Sequence, residues 1–236
     1  MELAEAPAGA STTVAERVAR LRQEVAEVAR SAGRHPESIA IVAVTKLHPR
    51  AAVDAAYAAG LRAFGENYVQ EALAKYEGYP RDAARHFIGH IQTNKAKAIV
   101  RTFDLVQSVD RADAGVALAK AARALDKRLR VLVQINISPQ ERHGIAPGRA
   151  PELAEVLRGE GLEVAGTMAI GPITEDREAI RDAFERAAAA HAEIGGEILS
   201  LGMSADWPIA IECGSTMIRV GTAIFGPRPS KGAFPP

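Results

Sequence analysis

Two hydrophobic rhythms run along the chain. The first is helical: Val14, Val18, Leu21, Val25 and Val28 recur at spacings of four and three, which puts them on one face of a helix. Thr13 and Glu16 form a T-x-x-E capping box, whose hydroxyl and carboxylate satisfy orphan N–H groups at the helix start. Gly33 and Pro36 end the helix.

The second rhythm is an alternation. Residues 39–45 (IAIVAVT) form a short uncharged, β-branched run, the pattern of a parallel strand buried on both faces. An alanine-rich helix over 50–59 follows and stops at Gly60. The alternation then predicts further short strands over 61–65, 86–89, 105–109, 130–137, 164–170, 198–203 and 217–221. Helices are predicted between them over 68–76, 94–101, 112–125, 150–158, 176–194 and 205–212. Eight strand–helix units point to an α/β protein, a single (β/α)8 TIM-type barrel with an extra N-terminal helix. The competing architecture is a doubly wound open sheet. Its dinucleotide-binding form carries G-x-G-x-x-G after the first strand, where this chain has Thr45-Lys46-Leu47-His48-Pro49. The barrel is expected over 13–226, between a flexible N-terminus (1–12) and a Pro/Gly tail (227–236).

Composition narrows the partners. Twenty-nine Lys and Arg balance 29 Asp and Glu in 236 residues, so there is no electrostatic case for nucleic acid or an anionic membrane. No uncharged apolar run approaches the roughly 20 residues that span a bilayer. The N-terminus lacks the basic and apolar regions of a secretory signal. Cys213 is the one cysteine, which excludes an internal disulfide and fits a reducing, cytoplasmic setting. It reads as a small buried filler near the last strand. The six histidines are scattered without metal-ligand spacing, so no metal site is expected.

In a barrel the chemistry gathers at the C-terminal ends of the strands. Those ends carry Lys46, Glu66, Asn67, His90, Gln92, Ser108, Asp110, Asn136, Met168, Met203, Ser204, Arg219 and Gly221. Lys46 closes an otherwise apolar strand. Desolvation there would lower its pKa and expose a nucleophilic amine of the Schiff-base type. Position alone is equally consistent with a lysine that caps the strand and reaches to water. After the last strand, Gly221-Thr222 enters a helical turn whose N–H groups suit an anion, and barrels often hold phosphate after strands seven and eight. The same turn could simply close the barrel.

With these residues in hand, the chain resembles the pyridoxal 5′-phosphate homeostasis protein family, whose fold is that of the alanine racemase N-terminal barrel. The matching segments are AVTKLHP (43–49), FGENYVQE (64–71), HFIGHIQTNKAK (86–97), VLVQINIS (131–138), GTMAIGP (166–172), LSLGMSAD (199–206) and GSTMIRVGTAIFG (214–226). The resemblance implies pyridoxal phosphate as cofactor, held by Lys46 as a Schiff base. It implies that Ser204, Gly221 and Thr222, with the neighbouring Met203, hold the phosphate end, that Arg219 faces the pyridine nitrogen, and that Asn67 lies beside the cofactor. Three departures stand out: Arg142-His143-Gly144 where the family has Lys-x-Gly, Ile91 for a leucine, and Trp207-Pro208 at the start of the helix after GMSAD.

The implied function is intracellular homeostasis of the cofactor by a monomer without catalytic residues, with pyridoxal-phosphate-dependent apoenzymes as transient partners. The alternative is an amino-acid racemase of weak activity. An always-cationic arginine at the ring nitrogen disfavours the pyridinium that makes the ring a strong electron sink, though alanine racemase tolerates the same arrangement, so Arg219 alone does not exclude racemisation. Racemisation also needs an acid and a base on opposite faces of one carbon. In full-length alanine racemases the second group is a tyrosine from an additional β-domain. The chain ends 11 residues after Phe225, and Tyr57, Tyr68, Tyr76 and Tyr79 all lie early in it, so no such group is expected. A third reading, a Schiff-base aldolase, has no support from the matched segments.

Overall fold

The computed structural model describes residues 12–140 and 142–227. The expected flexible start and Pro/Gly tail therefore lie, but for one residue each, outside the described residues. Helix α1 (Val14–Ser31) opens with the predicted capping box and buries Val18, Leu21, Val25 and Ala29. Eight parallel strands follow: β1 (Ala40–Val44), β2 (Ala63–Glu66), β3 (Ala84–Phe87), β4 (Leu105–Val109), β5 (Arg130–Ile135), β6 (Glu163–Ala169), β7 (Ile198–Ser200) and β8 (Met217–Val220). They pair in sequence order and close into a barrel, with β8 returning to β1. Between and after them come α2 (Arg50–Ala58), α3 (Val69–Tyr76), α4 (Ala96–Thr102), α5 (Ala112–Ala124), α6 (Ala150–Gly159), α7 (Arg177–Ile194), α8 (Trp207–Glu212) and α9 (Thr222–Phe225).

Strand pleat sorts the side chains into two cores. Outward-facing residues such as Ala43, Phe64, Val106 and Val133 pack under the helices in the main cluster. A smaller cluster of Val42, Leu105, Leu132, Ala165, Met168, Ile198 and Met217 fills the barrel interior. Helix α1 lies against α2, α8 and α9 and so covers the seam where the last strand meets the first. Each large apolar side chain it buries there is worth roughly 1.5–3 kcal/mol.

The expected order of elements holds and several boundaries move. Strand β3 begins two residues earlier than 86–89, because Ala84 N–H already donates to Arg62 and Arg85 is ion-paired with Asp104. That polar AARH stretch hides the strand from a hydrophobicity pattern. Past its end, Gly89 sits against the Asn67 backbone, where a Cβ would come within 2.1 Å of the carbonyl oxygen. Strand β5 stops at Ile135, after which Asn136 N–H donates to Ile145 and the chain leaves the ladder. Strand β7 is only three residues long, since Gly202 (φ +90°) turns the chain away. Trp207-Pro208 begins α8: proline falls in the first turn, where an N–H has no intrahelical acceptor.

Gly166 tests barrel closure. Its φ is +142°, and a Cβ there would lie 2.0 Å from the Ile198 carbonyl of the neighbouring strand. Gly166→Ala forces β6 and β7 apart as well as straining the backbone. The expected loss is at least about 2 kcal/mol, read as a lowered urea midpoint with native-like helical circular dichroism.

Candidate functional site

At the C-terminal mouth of the barrel lies a cavity of about 690 Å³, within the range of small-molecule sites. Lys46, Asn67, Met203, Ser204, Arg219, Gly221 and Thr222 all line it. They come from both ends of the chain because β1 and β8 are hydrogen-bonded neighbours, with Val42 opposite Arg219 and Ala43 opposite Val220. Met168 and Ile170 contribute apolar wall, and Arg142 and Arg177 add cationic side chains. Lys46 is half-buried, Arg219 buried, and Ser204 and Thr222 exposed.

The residues flanking Lys46 are clamped by buried charge. Lys75 Nζ, from α3, donates to the Thr45 carbonyl at 2.5 Å and pairs with Glu66 at 2.8 Å and Glu71 at 2.6 Å. Thr45 Oγ1 donates to Glu66 Oε1 at 2.6 Å. On the far side Leu47 N–H donates to Glu71 Oε1 at 2.5 Å. Leu47 has φ +63°, a left-handed conformation that a β-carbon residue keeps only when its surroundings impose it. The Lys75 and Glu66 side chains are 6% and 0% exposed, so this clamp works in a low dielectric. Burial pushes the Glu66 carboxyl above its ordinary range, and Lys75 opposes that rise. Burial also pushes the Tyr76 phenol up, so it stays neutral, within 2.9 Å of Thr45 Oγ1.

Arg219 is fixed from the other side. One guanidinium nitrogen donates to Ser200 carbonyl and hydroxyl oxygens at 2.8 and 2.6 Å, and the other to the Ala169 carbonyl at 2.8 Å. Ser200 Oγ in turn donates to Gln107 Oε1 at 2.7 Å, and Gln107 Nε2 meets His86 Nδ1 at 2.9 Å. A polar chain thus crosses the barrel interior from β8 to β3. Burial lowers the Arg219 pKa to about 10, with Asp206 opposing, so the guanidinium remains charged at neutral pH. Burial lowers His86 to about 4, so it is neutral and its Nδ1 accepts from the amide.

The Gly221–Thr222 end brings backbone N–H donors to the cavity. Gly221 precedes α9, whose first N–H groups lack intrahelical acceptors. A Cβ on Gly221 would lie 3.3 Å from the Val44 carbonyl, so the turn packs closely on β1. Asp206 is buried and accepts the Met203 N–H at 2.6 Å, which fixes the loop carrying Ser204. A lysine amine, a fixed cation and a turn of N–H donors on one cavity suit a small aldehyde that carries a phosphate and a ring nitrogen. The residues that shape this site from behind, Lys75, Glu71, Ser200, Gln107 and Asp206, were not singled out as site residues in the sequence. Glu66 and Glu71 lie within FGENYVQE, but nothing in a single sequence reveals that a charged group is buried.

Three comparisons bear on this arrangement. The family profile of the alanine racemase N-terminal domain matches residues 17–229. The pyridoxal phosphate homeostasis protein of Pseudomonas aeruginosa is 41% identical over 222 residues, covering 92% of this chain and 96% of that protein. The structure of PipY from Synechococcus elongatus with pyridoxal phosphate bound superposes with a TM-score of 0.78 at 34% identity, covering 91% of this chain and all of PipY. Alanine racemase from Bartonella henselae, at 15% identity and a TM-score of 0.69, shares the fold over 92% of this chain and 60% of that one.

Two outcomes follow from the buried groups. Lys75→Met leaves Glu66 without its cation and should cost about 3–5 kcal/mol at pH 7. The loss should shrink in acid, where Glu66 takes up a proton, and urea unfolding at the two pH values measures it. His86 has an ordinary pKa of 6.5 and a folded value of about 4, so between them the unfolded chain binds more protons. Stability should therefore fall by about 3 kcal/mol as pH drops through that window. His86→Gln should flatten this part of the profile.

Proposed function

The chain belongs to the pyridoxal phosphate homeostasis protein family, and we propose that it holds pyridoxal 5′-phosphate in the barrel mouth as a Schiff base on Lys46. The observation that carries this reading is the convergence of Lys46, Arg219 and the Gly221–Thr222 turn on one cavity. Bound there, the cofactor supplies an aldehyde that condenses reversibly with amines. The protein's own groups do the rest. Lys46 presents its amine from a loop held on both sides by Lys75, Glu66 and Glu71. Gly221 and Thr222 offer backbone N–H groups to the phosphate, with Ser204 and Met203 on the facing loop. Arg219 presents the N–H groups that its three bonds leave over to the ring nitrogen. Asn67 borders the same cavity and would lie beside the cofactor.

Arg219 bears on the choice between binder and enzyme, without by itself excluding racemisation. A fixed cation at the ring nitrogen opposes its protonation and so weakens the electron sink that carbanion chemistry uses. The relatives carry names of homeostasis, not of catalysis. We read the function as storage, buffering or delivery of the cofactor, by a monomer that meets pyridoxal-phosphate-dependent apoenzymes transiently in the cytoplasm. The single, buried Cys213 suits a reducing compartment. Among the described residues no helix is long and apolar enough to cross a membrane.

Adding pyridoxal phosphate to the purified protein should produce a visible absorption band that borohydride fixes, and Lys46→Ala should abolish it. A wild-type protein that shows no band overturns the reading. Turnover of L-amino acids to their enantiomers, lost in Lys46→Ala, would instead favour the racemase.

A further inference from the structure

We propose that His90, Asp110 and His143 form a binding site for one divalent transition-metal ion of the zinc class, in a second cavity beside the barrel mouth. The three residues are scattered in sequence. The barrel brings them together from the ends of three successive strands: His90 after β3, Asp110 directly after β4, and His143 in the loop between β5 and α6. One ligand atom from each lies within 4.8 Å of the others. The cavity they border measures about 600 Å³ and shares Asn67, Ile88, Arg142 and Ile170 with the larger one.

The second observation is an unmet acceptor. The Asp110 side chain is 8% exposed, and its Oδ1 is buried with no hydrogen-bond partner among the described residues. Its Oδ2 accepts the Gly144 N–H at 3.2 Å and lies 3.9 Å from His143 Nδ1. Asn67 Oδ1, on the same cavity, is a second buried oxygen without a hydrogen bond. Leaving the Asp110 oxygen unmet costs stability, and a cation held by the three side chains satisfies it. Arg111 approaches Asp110 Oδ1 only to 3.6 Å and is engaged elsewhere, with Asp113 at 2.9 Å and the Ile91 carbonyl at 3.2 Å. It therefore keeps partners when a metal takes that oxygen.

The ligand chemistry selects the ion. Two imidazoles and a carboxylate suit Zn²⁺, Co²⁺ or Ni²⁺ in preference to Mg²⁺ or Ca²⁺, which favour all-oxygen shells. Three protein ligands leave a position open to the cavity, as in sites that accept an exogenous ligand. The His90 and His143 rings stack with centroids 4.4 Å apart, so loading requires them to turn edge-on. Both are exposed, which leaves that rotation unopposed by packing. Closing to metal–nitrogen distances of about 2.0–2.1 Å is then a side-chain movement. The backbone is already held: Gln134 Nε2 donates to the His143 carbonyl at 3.0 Å.

The test uses tag-free, chelator-stripped full-length protein. Zn²⁺ is titrated calorimetrically, and Co²⁺ is followed by its d–d absorption in a Lys46→Ala background, where cofactor absorption does not interfere. One equivalent should bind saturably. His143→Ala and Asp110→Asn should each weaken binding by at least the roughly 10–100-fold that losing an outer-shell partner costs, with circular dichroism unchanged. No saturable binding, or binding that survives both substitutions, overturns the proposal. Lys46→Ala leaves metal binding intact, so the outcome is separate from that for the cofactor.

Discussion

The pairing of β8 with β1 is the constraint on which the site depends. Four residue pairs, from Ala40 with Met217 to Ala43 with Val220, join strands that are far apart in sequence. Without them Lys46 and Gly221–Thr222 lie at opposite ends of the chain. With them a lysine amine and a glycine turn border one cavity. Helix α1 acts on the same seam: it packs on α2, α8 and α9, so its apolar stripe stabilises closure where the barrel would otherwise open. Burial of that stripe is non-directional, whereas the strand register is directional, and together they fix both the fact and the alignment of closure.

Buried charge then sharpens the geometry. Arg219 is buried, so Ser200 and the Ala169 carbonyl accept from its guanidinium, and Gln107 and His86 extend the chain of bonds across the interior. The Lys75–Glu66–Glu71 cluster does the same behind Lys46. Such groups stabilise little relative to an apolar core, but once buried they admit few alternative arrangements. The side chains that face the cavity are thereby held from behind by residues that do not.

Much of this was legible in the sequence, and the reasons are specific. Short apolar runs such as 39–45 and 164–170, alternating with helical stretches, announced parallel strands, because strands covered on both faces are mostly apolar. Thr13 and Glu16 announced a helix start through a local hydrogen-bond pattern. Strand β3 was misplaced by two residues because Arg85 makes it polar, and its ion pair with Asp104 is a tertiary fact. The seven residues expected at the cofactor from family motifs and strand-end position border one cavity. Lys75 lies in the last turn of α3, and no local pattern marks it as buried. Its burial depends on Glu66 and Thr45, which reach it only across a strand–helix crossover.

The sequence by itself determined the order of strands and helices, their count, and which end of each strand carries polar groups. Those properties follow from local propensity and short-range periodicity, which a neighbouring segment suffices to set. Only the tertiary structure decided which polar groups meet: that Lys75 is buried, that Arg219 is wired to His86, and that ligand atoms of His90, Asp110 and His143 come within 4.8 Å of one another. Each of these depends on distances between segments many residues apart. Such distances are set when the barrel closes, and no pattern along one strand of sequence encodes them.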